Sequence, residues 1–313
     1  MPESVSVSIP SLAEVKLKLG DLPSAFTETE ERLQIYLHQL DGLSDVSWVL
    51  ANTLYELEAE TIDFLRSRYG VPFRSIGPSI PSAFLDGGNP QDARVGADPW
   101  KATDSVQAWL DRKPASSVVY ISFGSVTVIN PHQIYELALG IQSSRQNFLL
   151  VIRPPPGHDD ITEFFPAGFM EETEGRGLVV PWCVQLEVLS HPSVAAFMSH
   201  CGWNSTLEAL SLGIPVLTFG VWTDQTTNSK FMADVWKAGV RMIRGEDGTM
   251  GREEIERCMR LAVDKTSEAG EEVRKNALKW KELAKTGMRE GGSSDINLNE
   301  FVEQVVAKAT QTS

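Results

Sequence analysis

The chain has 313 residues, of which 42% are hydrophobic and 22% charged, the proportions of a globular protein of about two domains. Its formal net charge of −14 argues against a nucleic-acid backbone or an anionic membrane as partner, since both are polyanions. Three cysteines (Cys183, Cys201 and Cys258) and no CxxC pair exclude a disulfide framework and point to reduced, buried thiols in the cytosol. The opening MPESVSVSIPSL has neither the basic flank nor the apolar core of a signal peptide, and runs such as VVYISF and FLLVI are too short to span a bilayer.

In chain order, residues 1–26 read as irregular, broken by Pro10 and Pro23. A helix is predicted over 28–41, with Leu33, Tyr36, Leu37 and Leu40 on its buried face. A strand follows at 47–53, a helix at 55–70 ending in Gly70, and a strand at 73–78. Two strands and two helices are too few for a complete α/β domain. Residues 79–103, rich in Pro, Gly, Asp and Asn, read as a linker.

Beyond it the alternation is regular. Strands are predicted at 117–123, 147–152, 177–182, 194–200, 215–219 and 240–243, with helices at 131–144, 185–190, 204–213 and 227–239 and more towards the C-terminus. Strands alternating with helices of this length make parallel βαβ units, so this part reads as a complete doubly wound domain. The charged stretch GEEVRKNALKWKELAK reads as an exposed helix face.

Chemistry concentrates in residues 182–225. A buried strand ends at His200, Gly202 turns the chain, and Asn204 and Ser205 begin a helix. Such a turn presents unpaired N–H groups and the positive end of the helix dipole, an anion site that His200, Asn204 and Ser205 enrich with donors. A diphosphate fits it without a metal. Trp182 ends another parallel strand and offers a face for a base to stack on. Glu208 lies one helical turn beyond Asn204, where a carboxylate can accept ribose hydroxyls. Asp224 and Gln225 follow the next strand and can bind sugar hydroxyls. Blander readings accompany these. Trp203 can serve packing alone, Cys201 reads as a buried filler, and His158-Asp159-Asp160 as a solvated loop. His191, His200 and Cys201 match no zinc spacing. No GxGxxG opens the unit at 117–144, which argues against a dinucleotide-dependent dehydrogenase.

The stretch WCVQLEVLSHPSVAAFMSHCGWNSTLEALSLGIPVLTFGVWTDQ resembles the signature box of plant family-1 UDP-glycosyltransferases. So do SVVYISFGS, AWLDRKP and EGGSSDINLNEFV. The resemblance implies an α/β fold of two Rossmann-like domains facing a cleft (GT-B type). The first would be incomplete (1–78, acceptor-binding), then the linker, the donor-binding domain (104–290) and a C-terminal helix (291–313) packing back on the first domain. It implies that Trp182 stacks on uracil, that Cys183 presents backbone to it, and that Gln185 lies near the ribose. His200, Gly202, Asn204, Ser205 and the backbone around Trp203 would hold the diphosphate, with Ser125 close by. Glu208 would take the ribose hydroxyls, and Trp222, Thr223, Asp224 and Gln225 would line the sugar. A closing Gln fits a glucose donor, whereas Gly220 stands where the family commonly has Pro.

The implied activity is glucose transfer from UDP-glucose, as co-substrate and without metal or other cofactor, to a phenolic or aromatic-acid acceptor with inversion, in a cytoplasmic monomer. The family's catalytic His and Asp have no matching positions, since His38 sits inside a predicted helix. The chain would thus start late in the first domain and either represent an active enzyme or an inactive UDP-sugar binder. A partial first domain would expose sheet edge and apolar helix faces, making the first hundred residues the less stable part.

Overall fold

The structure, a computed structural model, describes residues 6–8, 15–27, 29–85 and 103–311. They form two compact units. One contains the described residues up to Leu85, together with Trp222–Thr227 and the chain from Trp280 onward. The other contains the residues from 103 to Val221 and Asn228–Lys279.

The first unit opens with β1 (Ser6–Ser8) and β2 (Lys16–Lys18), an antiparallel pair with Ser6 opposite Lys18. This corrects the irregular reading of the first 26 residues, because the ladder is made by backbone groups and three-residue strands carry no alternation to read. Helix α1 (Glu30–Asp41) follows, then β3 (Val49–Ala51), α2 (Tyr55–Tyr69) and β4 (Phe73–Ser75). Strands β3 and β4 pair in parallel, Val49 opposite Phe73, joined by α2. Gly70 closes α2 at φ +66°, a left-handed conformation that costs glycine nothing, and its N–H donates to Arg66 O. Ile62, Val71 and Phe73 are the buried centre of this βαβ unit.

The apolar face predicted for α1 does not become core. Tyr36 and Leu37 are exposed, as is Ile35 at 61%, because nothing among the described residues of this unit covers that face. Of the predicted linker, Ser82–Phe84 forms a 3-10 turn, and residues 86–102 lie outside the described residues.

The second unit runs α3 (Thr103–Leu110), β5 (Val118–Ser122), α4 (Pro131–Ser144), β6 (Asn147–Val151), α5 (Phe169–Glu172), β7 (Gly177–Val180) and α6 (Gln185–Leu189). It continues through β8 (Val194–Ser199), α7 (Trp203–Leu212), β9 (Val216–Thr218), α8 (Gln225–Lys230), β10 (Gly239–Arg241), α9 (Arg252–Val263) and α10 (Glu268–Met288). The sheet order is β10-β9-β8-β5-β6-β7 with every neighbour parallel, which is the doubly wound arrangement. Strands β5 and β8 are buried along their whole length, as strands covered on both faces must be. Helix α4 starts cleanly because Pro131 supplies its first φ and the Asn130 side chain accepts from Gln133 N at 2.8 Å. It packs closely on α9 over Gly140, where a Cβ would lie 2.6 Å from Ile255 Cβ. Glu136, on the same helix, accepts from Arg252 N (3.0 Å) and Nε (2.9 Å).

The predicted helix 227–239 divides. Helix α8 stops at Lys230, and a π-turn over Phe231–Val235 carries the chain to β10 with Met232 buried beneath it. Helix α10 crosses from one unit to the other at Lys279 and Trp280, ahead of the predicted boundary at residue 290. Helix α11 (Ser293–Gln311) belongs to the first unit and packs on β4. There Asn297 Nδ2 donates to Ser75 O at 2.8 Å, and Ser294 Oγ donates to Gly77 O at 2.6 Å. Among the described residues no helix is long and apolar enough to cross a membrane.

Candidate functional site

The site of the second unit grows out of its topology. From β5 the chain moves to β6 on one side of the sheet, while β8 joins β5 on the other, so the C-terminal ends of β5 and β8 flank the switch point where doubly wound folds bind ligands. Strand β5 runs out into Phe123-Gly124-Ser125, and β8 into His200-Cys201-Gly202. Cys201 takes a left-handed φ of +60°, uncommon for a residue with a side chain, and local bonds hold it there. Its N–H donates to Ser199 Oγ at 3.0 Å, and its carbonyl accepts from Asn228 Nδ2 (2.9 Å) and Thr206 Oγ1 (3.3 Å). Gly202 then caps α7, whose first N–H groups have no partner within the helix and carry the positive dipole end.

The His200 imidazole is held between two glycines. A Cβ on Gly124 would stand 2.7 Å from His200 Nε2, and one on Gly202 would stand 2.5 Å from it. Backbone thus approaches the ring from two sides with no side chain between, which only glycine permits.

These residues line a cavity of about 720 Å³ with Ser125, Trp182, Cys183, Gln185, Trp203, Asn204, Ser205 and Glu208. Ten of the residues singled out in the sequence therefore converge, counting His200 and Gly202 with these. Trp182 and Cys183 reach it from the end of β7. Cys183 is buried, and burial pushes its thiol up to about 11, so it stays protonated at neutral pH. Trp203 lines the cavity and also packs against Trp236, ring centres 6.2 Å apart.

A hydrogen-bond chain crosses the cavity wall. Tyr120 Oη donates to Gln185 Oε1 at 3.1 Å, and Gln185 Nε2 donates to Ser205 Oγ at 2.8 Å and to Glu208 Oε2 at 2.7 Å. Burial holds the Glu208 carboxyl above its usual range, with the Gln185 bond pulling the other way. A raised folded-state value means that the folded chain gives up this proton less readily than the unfolded chain, so stability falls as pH rises through the carboxylate range and levels off above the folded value. Glu208→Gln, which keeps an acceptor for Gln185, is therefore expected to raise the thermal midpoint at pH 7, the gap closing as the pH falls below about 4.3. Thermal scans from pH 4 to 8 check it, and an equal midpoint difference at every pH would contradict it.

Trp222, Thr223, Asp224 and Gln225 are not among the residues lining this cavity; they belong to the first unit. There Thr223 N donates to Ser24 Oγ (3.0 Å), Ser24 N donates to Thr223 O (2.9 Å), and Thr226 Oγ1 donates to Leu22 O (2.8 Å). Gln225 is buried, and its Oε1 accepts from Trp222 N at 3.2 Å, so part of this side chain's capacity is used in holding its own loop. The other histidines lie elsewhere. His38 Nδ1 meets Asp41 Oδ2 at 2.9 Å on exposed α1, and His191 meets Ser193 Oγ (2.8 Å) and Asp111 Oδ1 (3.2 Å).

Sequence reading passed over Tyr120, Gly124 and Arg153, all of which line the cavity. Tyr120 carried a signal, since a hydroxyl in an otherwise aliphatic buried strand has to find a partner. Arg153 carried none; its bond to the Ser125 carbonyl joins loops that are distant in the chain.

A doubly wound unit with a switch-point cavity lined by an aromatic face, a helix N-terminus and a buried carboxylate has the form of a nucleotide-binding protein. Residues 92–279 match the family model described as UDP-glucoronosyl and UDP-glucosyl transferase, and the chain belongs to that family, in its plant branch. Crocetin glucosyltransferase of Gardenia jasminoides is 43% identical over 95% of this chain and 63% of its own length. The solved structure of Os79 from O. sativa in complex with UDP is 36% identical, with a TM-score of 0.80 over 93% of this chain and 63% of that one. Phytolacca americana UGT2, complexed with UDP-2-fluoro-glucose and pterostilbene, is 28% identical, with a TM-score of 0.83 over 97% and 64%. The expected family and α/β fold type thus hold. The chain spans 63–66% of the length of the curated relatives it matches.

Proposed function

We propose that the cavity of the second unit binds the UDP part of a UDP-sugar, and that the protein transfers glucose from UDP-glucose to a hydroxyl or carboxylate of a small plant metabolite. The observation that carries this is the convergence of Trp182, His200, the N-terminus of α7 and Glu208 on one cavity at the sheet's switch point. In this reading Trp182 stacks on uracil while Cys183 offers backbone beside it. Glu208 accepts from the ribose hydroxyls, with Gln185 next to it. His200, Gly202, Asn204, Ser205 and the first turn of α7 at Trp203 hold the diphosphate, with Ser125 adjacent. Trp222, Thr223, Asp224 and Gln225 line the sugar. No metal or other cofactor is required, because helix N–H groups and His200 meet the charge that develops on the departing diphosphate.

The acceptor oxygen attacks the anomeric carbon from the face opposite the diphosphate. The bond from that carbon to the phosphate oxygen breaks, UDP leaves with the electron pair, and a general base takes the acceptor proton. Inversion yields a β-glucoside or a glucose ester. Among the described residues His200 is the histidine that lines the cavity, and this reading commits it to the diphosphate rather than to the base. That favours a second reading for the chain as given, a UDP-sugar binder without turnover. Acidic charge fits work on neutral or acidic small molecules in the cytosol rather than on polyanions.

The test is calorimetric titration with UDP and UDP-glucose beside a glucose-transfer assay on phenols and aromatic acids. Binding is expected, and Trp182→Ala is expected to weaken UDP about tenfold or more by removing one base stack. Failure of the wild-type chain to bind UDP would sink the donor-site reading. Turnover of an acceptor would support the enzyme; binding without turnover would support the second reading.

A further inference from the structure

The Gln185 side chain is fully engaged on its donor side. An amide has two N–H groups, and those of Gln185 go to Ser205 Oγ and Glu208 Oε2, leaving none for a ligand. Which end of the amide faces Glu208 matters. With the group turned over, its carbonyl oxygen would face the Glu208 carboxylate, acceptor against acceptor. Tyr120 stands at the opposite end, its hydroxyl 3.1 Å from Gln185 Oε1. The ring that carries this hydroxyl is fixed. It is 1% exposed on β5 and stacks on Phe197 of β8, ring centres 4.7 Å apart and planes 20° from parallel. The nearest alternative partner of the hydroxyl is the Cys183 sulfur at 3.6 Å, a weak acceptor.

We propose that Tyr120 is a positioning residue for ribose recognition. Its hydroxyl locks the Gln185 amide in the one orientation that clamps Glu208 Oε2 and Ser205 Oγ, so Gln185 acts as a clamp on Glu208 and not as a ligand to the nucleotide. The proposal rests on the donor-site reading. Its physical basis is that one carboxylate oxygen, fixed by Gln185, sets the direction in which the other is presented to the cavity. Sites built to bond a hydroxyl discriminate strongly against an analogue that lacks it, and only as strongly as the acceptor is held in place. Tyr120 touches no ligand in this scheme; it acts through Gln185, whose own effect passes through Glu208.

The experiment compares UDP with 2′-deoxy-UDP by calorimetric titration of the full chain as wild type, Tyr120→Phe, Gln185→Ala and the double variant. Thermal midpoints confirm that each is folded. Wild type is expected to prefer UDP. Tyr120→Phe removes one oxygen and leaves Gln185 Oε1 buried without its donor, which is expected to shrink that preference about five- to tenfold. Gln185→Ala is expected to shrink it at least as far, and Tyr120→Phe is expected to change it no further in the Gln185→Ala background. A merely structural Tyr120 would lower both affinities by the same factor in both backgrounds, and that result, or an unchanged preference in Tyr120→Phe, would overturn the proposal. Wild type that binds neither nucleotide would instead overturn the donor-site reading itself.

Discussion

Gly124→Val is expected to abolish measurable UDP binding while the second unit stays folded. The added Cβ would fall 2.7 Å from His200 Nε2 and 2.8 Å from Cε1, distances that real Cβ atoms do not show, so the imidazole has to move. It cannot retreat towards Gly202, whose backbone closes the other side at a similar distance. Gly124 also sits at φ +76°, where a β-branched residue is strained by about 1–2 kcal/mol. Misplacing a donor and the β5 loop together is expected to cost at least about 100-fold in affinity, about 2.7 kcal/mol. Gly175→Ala separates the two causes. Gly175 has the same φ of +76° but nothing within 4 Å of a Cβ, so that variant is expected to lose a little stability and keep UDP affinity. Equal losses of affinity in both variants, read by calorimetry, would mean that backbone strain and not the packing of His200 is responsible.

Phe148→Ala is expected to be the most damaging single truncation in the second unit. Phe148 lies on β6 with no exposed surface, its ring near Phe169, and Gly177 of β7 leaves room for it. A Cβ on Gly177 would meet Phe148 Cζ at 2.3 Å, so this glycine is a space for the ring and not a turn. Emptying that space is expected to cost about 3–5 kcal/mol, because the surrounding strands cannot collapse into it. For a unit of this size the thermal midpoint should fall by about 10 °C. Gly177→Ala is expected to destabilise alone and to cost far less in the Phe148→Ala background, where its methyl enters the vacated volume. Additive losses in the double variant, measured by denaturant titration, would show that the two residues do not share this space.

Much of the second unit was legible in the sequence for a physical reason. Buried parallel strands such as Val118–Ser122 and Val194–Ser199 are nearly continuous apolar runs, and helices such as Pro131–Ser144 carry their own start signals. The turn from His200 to Ser205 was legible as well, since strand end, glycine and helix start are adjacent in the chain. The first unit was less so. Its strands are three residues long, and the exposed face of α1 has the same period as a buried one.

By itself, then, the sequence determined the doubly wound sheet, the position of the anion-binding turn and ten residues that line one cavity, because each follows from local periodicity or adjacency. Tertiary structure decided the rest. It assigned Trp222–Thr227 and the end of α10 to the first unit, through bonds such as Ser24 N to Thr223 O that join residues far apart in the chain. It broke the predicted helix 227–239 with a π-turn that buries Met232. It placed His200 between Gly124 and Gly202, and it set the Tyr120 hydroxyl against Gln185. These depend on which distant segments meet at a strand end, and no local period in a single sequence records that.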